Sequence, residues 1–314
     1  MLKVSVIVPV KNEASSIAVL LDALLSQSRL PDEIVITDGG STDNTVQIIN
    51  SYAKKNDFIR LICLPHAFAG KGRNTSIAHS KNNIIASIDA GCVPAQNWLE
   101  ELIEPFEENT AVEVVYGLCK PAPKTLLETC FVLSTEPDGF STSVASMAHK
   151  KEVWEKTGGY PEDLGSSEDT IFKSKICDMG FKTAVNDKAR VYWQARSRIS
   201  DFFKQFYDQS KSSGYLSLRA WFHIRKIIFI ITVIFFAVIG MTKYRNLLFF
   251  ALLLYIIWIG FTVTKHYGWF KGIKCEMGTY FILPIVFIVR DAAQISGFIS
   301  GIIRKMRNRS LYGS

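Results

Sequence analysis

At 314 residues the chain is long enough for one large domain or two, and its 48% apolar content with a mean hydropathy of +0.15 exceeds what a water-soluble enzyme needs, which points to a membrane part. The net charge of +7 is unevenly divided, because the stretch from Tyr215 onward holds 13 Lys and Arg against 2 acids and leaves the preceding residues net acidic. Those basic residues lie between long apolar runs, as flanks facing anionic lipid do, and this excludes a nucleic-acid reader.

The chain opens with "KVSVIVPV", a β-branched run that predicts a first strand. Its apolar stretch stops at Pro9 and Lys11, too short for the apolar core of a secretory signal, so the N-terminal domain is expected in the cytoplasm. Ile17, Leu20, Leu21, Leu24 and Leu25 then recur at helical spacing, followed by "EIVITD", "NTVQIINSYAKK" and "FIRLICL". This βαβαβ pattern predicts an α/β fold with parallel strands and helices on both faces. The six cysteines form no CxxC pair and no spaced framework, which fits reduced thiols.

A further apolar strand, Ile84 to Ile88, ends on a lone carboxylate in "ASIDAGCVP". One acid at a strand end is commonly a turn former. Here, however, the loops after strands one, two and four carry Asn12 and Glu13, Asp38, and Asp89, and parallel strands bring those loops to one edge of the sheet. Carboxylates there have two uses: accepting hydrogen bonds from a base or ribose, and holding a divalent metal that bridges a pyrophosphate. A nucleoside diphosphate uses both. Neither "AFAGKGRNTS" nor "DGGSTDNT" has the spacing of a phosphate-cradling loop. Arg73, at a loop-to-helix junction, is a candidate phosphate partner, with an exposed surface charge as the plain alternative. In "GSSEDTIFKSKICDMG", Ser166 or Ser167 reads as a helix N-cap with Glu168 and Asp169 in the first turn, where the helix dipole alone would account for both acids.

Taken together, "VSVIVPVKNEASSI", "DGGSTDNT", "GRNTSIA", "DAGCVPAQNWLEEL", "TGGYPEDLGSSEDTIF" and "VYWQARSRISDFFKQFYDQSKSSG" resemble the family 2 inverting glycosyltransferases with the GT-A fold, over about residues 1 to 215. The resemblance implies that Pro9 and Glu13 shape the nucleotide pocket and that Asp38 contacts the base. It makes Asp89 the first acid of the DxD metal motif, so that Mg²⁺ or Mn²⁺ is the expected cofactor and a nucleotide sugar the donor. Gly91 departs from the family where the second Asp stands, as in a membrane-attached subgroup with the same DAGC wording. The same resemblance makes Asp169 the general base, Glu168 a residue that orients the acceptor, and Trp193, Arg196 and Gln209 residues that close over the diphosphate. The plain alternatives are a core Trp193, an exposed Arg196, and Phe202, Phe203 and Phe206 as the buried stripe of an amphipathic helix lying on a membrane.

The C-terminal region supplies the membrane part. Apolar segments at about 222–241 and 247–264 are expected to span, with Arg225 and Lys226 snorkelling. A third, 279–303, is broken by Pro284 and carries Arg290 and Asp291 near its middle. Charge placement favours two crossings with the third segment interfacial, since three crossings would spread the flanking cations evenly across the bilayer. The expectation is therefore a GT-A, Rossmann-like domain over 1–214 and a helical membrane region over 215–314. Such a multi-pass membrane protein would keep its catalytic domain cytoplasmic and transfer sugar to a membrane-associated, lipid-linked or glycan acceptor. Two alternatives remain open: a polyprenyl-phosphate glycosyltransferase, and a catalytically silent scaffold of a polysaccharide assembly complex, which Gly91 favours.

Overall fold

The computed structural model describes residues 2–135, 142–218, 220–242, 244–265 and 277–311. In chain order the elements are β1 (Val4–Val10), α1 (Ile17–Leu25), β2 (Glu33–Asp38), α2 (Thr45–Ala53), β3 (Ile59–Cys63), α3 (Ala69–His79), β4 (Ile84–Ser87), β5 (Cys92–Pro94), α4 (Trp98–Glu108) and β6 (Val114–Pro121). There follow α5 (Leu126–Ser134), β7 (Thr142–Lys150), α6 (Lys151–Thr157), α7 (Glu168–Asp178), β8 (Thr183–Trp193), α8 (Ile199–Leu216), α9 (Ala220–Thr242), α10 (Arg245–Lys265) and α11 (Met277–Leu311). They form two compact units, Met1–Ala122 with Phe140–Gln194, and Pro123–Gly139 with Ala195–Ser314.

The first unit is built on an eight-stranded sheet of order β3-β2-β1-β4-β7-β6-β8-β5. The four strands foreseen from the βα pattern are parallel. Beyond β4 the sheet becomes mixed, with β7 antiparallel to β4 and β6 and β5 antiparallel to β8. Val4, Val6, Ile7 and Val8 of β1 are all fully buried, as a central strand covered on both faces requires. The helix predicted from Ile17, Leu20, Leu21 and Leu24 buries those side chains against β1 and β2 residues such as Val6, Val8, Ile34 and Ile36. Strand order runs outward from β1 to β3 and then returns to place β4 on the other side of β1. That reversal puts the switch point, where open α/β sheets bind their ligands, at the carboxyl ends of β1 and β4.

His149 on β7 is buried with its ring 5.7 Å from that of Phe172 on α7, and its Nε2 has no hydrogen-bond partner. Burial pushes the imidazole down to about 4 from its ordinary 6.5. The unfolded chain therefore takes up a proton first as the pH falls, so stability is present above pH 6.5 and is lost between there and about pH 4. At about 1.4 kcal/mol per unit, that loss approaches about 3 kcal/mol. Thermal unfolding followed from pH 7 to pH 4.5 should show it, and His149→Met should give a flatter profile.

The second unit contains α5 and α8–α11. Phe202 and Phe206 of α8 are buried with Cys130, Phe131 and Leu133 of α5 and Leu283, Val286, Phe287 and Ala293 of α11, with Phe131 and Phe202 stacked at 4.2 Å. The apolar stripe of α8 is thus buried, as the plain alternative had it, but covered by protein and not by a membrane. Backbone contact between α8 and α11 depends on glycine: a Cβ at Gly214 would meet the Phe298 carbonyl oxygen at 2.2 Å, and one at Gly301 the Lys211 oxygen at 2.1 Å.

Two helical segments among the described residues are long and apolar enough to cross a membrane, Ala220–Ile239 and Phe281–Arg307. The span expected at 247–264 falls in α10, a helix of 21 residues that is not among these two segments. The multi-pass arrangement with that second span is therefore not supported. Lys226 does not snorkel either. It is buried and donates to Asp291 Oδ1 at 2.7 Å, which also accepts from Arg290 Nη2 at 3.0 Å, while Arg290 Nη1 donates to the Ser134 carbonyl. These partners remove much of the cost that Arg290 and Asp291 would carry in an apolar segment. Arg219, Lys243, Lys271, Lys274 and Cys275 lie outside the described residues.

Candidate active site

The carboxyl edge of the parallel strands brings together the loops that sequence reasoning singled out. Asp38 ends β2, and its buried carboxylate turns back on its own loop: Oδ2 accepts from the Gly40 and Ser41 N–H groups at 3.0 Å each, and Oδ1 accepts from the Ser41 hydroxyl. After β1, the Glu13 carbonyl accepts from the Ser16 and Ile17 N–H groups and so starts α1, while its carboxylate accepts from the Ser16 hydroxyl. The two loops are tied together where the Glu13 N–H donates to Thr45 Oγ1 and Asn12 Oδ1 accepts from the Thr42 N–H, both at 2.8 Å. Asn12 stands at φ 56°, a left-handed conformation that Asn tolerates better than most residues. Pro9 pairs with Thr37 across β1 and β2, and its Cβ lies 3.4 Å from where a Cβ on Gly72 would sit, so α3 rests closely on this strand.

Asp89 follows β4, with its side chain 42% exposed, and its Oδ1 accepts from Arg73 Nη2 at 2.6 Å. Nη1 of the same guanidinium donates to Glu168 Oε1, also at 2.6 Å. Arg73 is neither a surface charge nor open towards solvent, for it is only 3% exposed and lies over the Tyr160 ring at 5.5 Å. Burial opposes its charge, but the carboxylates of Asp89 and Glu168 outweigh that and hold its pKa above the ordinary arginine value. No signal in "GKGRN" announced this burial, because the partner Glu168 lies 95 positions away. Tyr160 was likewise missed.

Glu168 and Asp169 open α7, as read from the sequence, but the serine cap does not form. Ser167 holds the N-cap position at φ 70° and makes no side-chain cap bond. Instead Asp169 Oδ1 accepts from the Thr170 N–H at 2.7 Å, a first-turn acid favoured by the helix dipole. Asp169 is half-buried, in contrast to the buried Glu168. The loop entering α7 is pressed against α3: a Cβ on Gly70 would lie 2.1 Å from the Pro161 carbonyl oxygen and 3.3 Å from Glu168 Cβ. Gly70→Ala is accordingly expected to cost about 1–3 kcal/mol, read as a lowered Tm.

Trp193 ends β8 opposite Cys92, directly across from the strand that follows Gly91, and packs partly buried against the main core cluster. Arg196 and Gln209 are exposed residues of the second unit.

A divalent ion takes about six oxygen ligands. No group of three or more His, Cys, Asp or Glu is placed to supply them among the described residues. Gly91 leaves open space, the nearest atom to a Cβ built there being Glu13 Oε2 at 3.9 Å. The donor set therefore fits an ion carried mainly by phosphates and water and held to the protein through Asp89; it does not fit a free ion held by protein alone.

Residues 5–125 match the model of the glycosyl transferase family 2. Glycosyltransferase AglE of Haloferax volcanii is 29% identical over 190 residues, covering 57% of this chain and 62% of its own. The dolichyl N-acetyl-alpha-D-glucosaminyl phosphate 3-beta-D-2,3-diacetamido-2,3-dideoxy-beta-D-glucuronosyltransferase of Methanococcus voltae is 24% identical over 243 residues, covering 70% and 76%. The chain thus spans about six-tenths of AglE and about three quarters of the second relative. Among solved structures, the mannosyltransferase PcManGT from Pyrobaculum calidifontis, in complex with GDP-Man and Mn²⁺, superposes with a TM-score of 0.54 at 18% identity, covering 98% of this chain and 88% of that one. The family match over the segment that carries Glu13, Asp38, Arg73 and Asp89, together with the GT-A-like architecture, supports a family 2 glycosyltransferase.

Proposed function

We propose that the chain is an inverting glycosyltransferase that moves a sugar from a nucleotide-sugar donor to a membrane-associated or lipid-linked acceptor. The observation that carries this reading is the link Asp89–Arg73–Glu168, which brings the acid that follows β4 and Glu168, the first acid of α7, to one buried guanidinium. Pro9, Glu13 and Asp38 shape the nucleotide pocket, and Asp89 takes up the donor diphosphate with a divalent ion. When bound, that ion neutralises charge developing on the leaving diphosphate. Asp169 accepts the proton of the acceptor hydroxyl as its oxygen attacks the anomeric carbon, in line with and opposite the departing nucleoside diphosphate. One displacement inverts the configuration and needs no nucleophile from the enzyme. Trp193 is assigned to closing over the diphosphate.

The apolar helix α9, with Trp221, Ile228, Ile231 and Phe235 exposed, supports membrane attachment. The first unit is assigned to the cytoplasm. A lipid-linked acceptor is favoured by the Methanococcus relative, whose name specifies a dolichyl N-acetyl-alpha-D-glucosaminyl phosphate. A thermal-shift screen of the full chain in detergent against UDP and GDP sugars with Mn²⁺ tests the donor site. A ligand at 100 times its Kd adds about 2.7 kcal/mol of stability. A stabilising shift with at least one donor is expected; none with any would contradict a nucleotide-sugar site.

A further inference from the structure

Arg73 belongs to neither side of the reaction by position. It sits on α3 and donates through both terminal nitrogens, to Asp89 after β4 and to Glu168 at the start of α7. Charge-assisted bonds of this kind are strong, and the planar guanidinium fork fixes direction as well as distance. With its side chain only 4% exposed, it presents no open face to a donor phosphate. Its Nε has no acceptor, so the two carboxylates and the Tyr160 ring hold it in place.

The start of α7 needs such a hold. Ser167 is strained at φ 70° without a cap bond from its side chain, and conformations of this type persist only where the surroundings impose them. The close approach of Gly70 to Pro161 and Glu168 is a second, independent sign that α3 clamps this turn.

We infer that Arg73 is a positioning residue that locks the carboxyl end of β4 and the first turn of α7 into one geometry, so that Asp89 and Asp169 face the same reacting atoms. The assignment rests on the donor and base roles proposed above for those two residues. It makes the two ends mechanically dependent: a change at Glu168 is felt at Asp89, although they lie on different elements and the guanidinium stands between them.

Amide hydrogen exchange of the full chain in detergent tests this without any turnover. In Glu168→Gln, exchange is expected to quicken about tenfold or more in residues 167–172 and also in residues 89–92, with β1 and β2 unchanged. Arg73→Lys, which keeps the charge and loses the fork, should quicken both segments. Quickening confined to 167–172 in Glu168→Gln overturns the inference. Kinetics add a second readout with UDP-GlcNAc or GDP-mannose: Arg73→Lys should lower kcat at least about tenfold with the donor KM within about threefold. A loss carried by KM would make Arg73 a donor-binding residue and overturn the positioning role. Asp169→Asn, by contrast, tests the base assignment and leaves the exchange result untouched, so the two readings fail separately.

Discussion

Asp169→Asn is expected to lower turnover by about a hundredfold or more while leaving nucleotide affinity nearly intact, the usual share of a general base. The half-buried Asp169 side chain uses one oxygen to accept from the Thr170 N–H, a bond that an asparagine carbonyl can keep. The substitution therefore spares the helix start and removes the ability to take a proton. Glu168→Gln has a different character, because Glu168 is buried on Arg73 and its loss leaves a buried guanidinium with one anion in place of two. Steady-state hydrolysis and nucleotide titration of the three proteins separate these effects. Loss of nucleotide binding equal to the loss of turnover would move Asp169 into the donor pocket.

Asp89→Ala is expected to abolish both activity and any coupling between metal and nucleotide. Asp89 already neutralises part of Arg73, and the glycine two positions on supplies no carboxylate, so a bare divalent ion meets little to bind. A nucleoside diphosphate brings the missing oxygens, and Mn²⁺ and UDP should then bind cooperatively. Gly91→Asp offers the converse test. Gly91 is not in the left-handed region, and a Cβ there would have Glu13 Oε2 at 3.9 Å as its nearest atom, so the turn accepts a side chain. This variant should tighten Mn²⁺ binding in the absence of nucleotide. Calorimetry decides: equal Mn²⁺ affinity with and without UDP in the wild-type chain would return Asp89 to a structural turn.

The half of the first unit that carries the site was legible because its pattern is local. β-branched runs alternate with helical spacing through β4, and parallel strands must then collect Glu13, Asp38 and Asp89 at one edge. The later strands were not, since β7 reads "TSVASMAHK" with small residues and β8 reads "TAVNDKARVYW" with polar ones, and both are set by pairing with distant partners. The same limit hid the burial of Arg73, whose partners are separated from it by 16 and 95 positions. In α8 the amphipathic period showed that Phe202 and Phe206 face something apolar; that α5 and α11 cover them depends on tertiary packing alone. Lys226 read as a snorkelling flank for a similar reason, because its partner Asp291 lies 65 positions on.

Turnover itself is the most direct test of the central claim that this carboxyl edge transfers sugar from a nucleotide donor. The purified full chain in detergent, given Mn²⁺ and UDP-GlcNAc, UDP-glucose or GDP-mannose, should release nucleoside diphosphate from at least one of them; Asp89→Ala should abolish that release and Asp169→Asn should lower it about a hundredfold or more. Release no greater than that of Asp169→Asn from every donor, with the wild-type chain folded, would contradict the account and favour a silent scaffold.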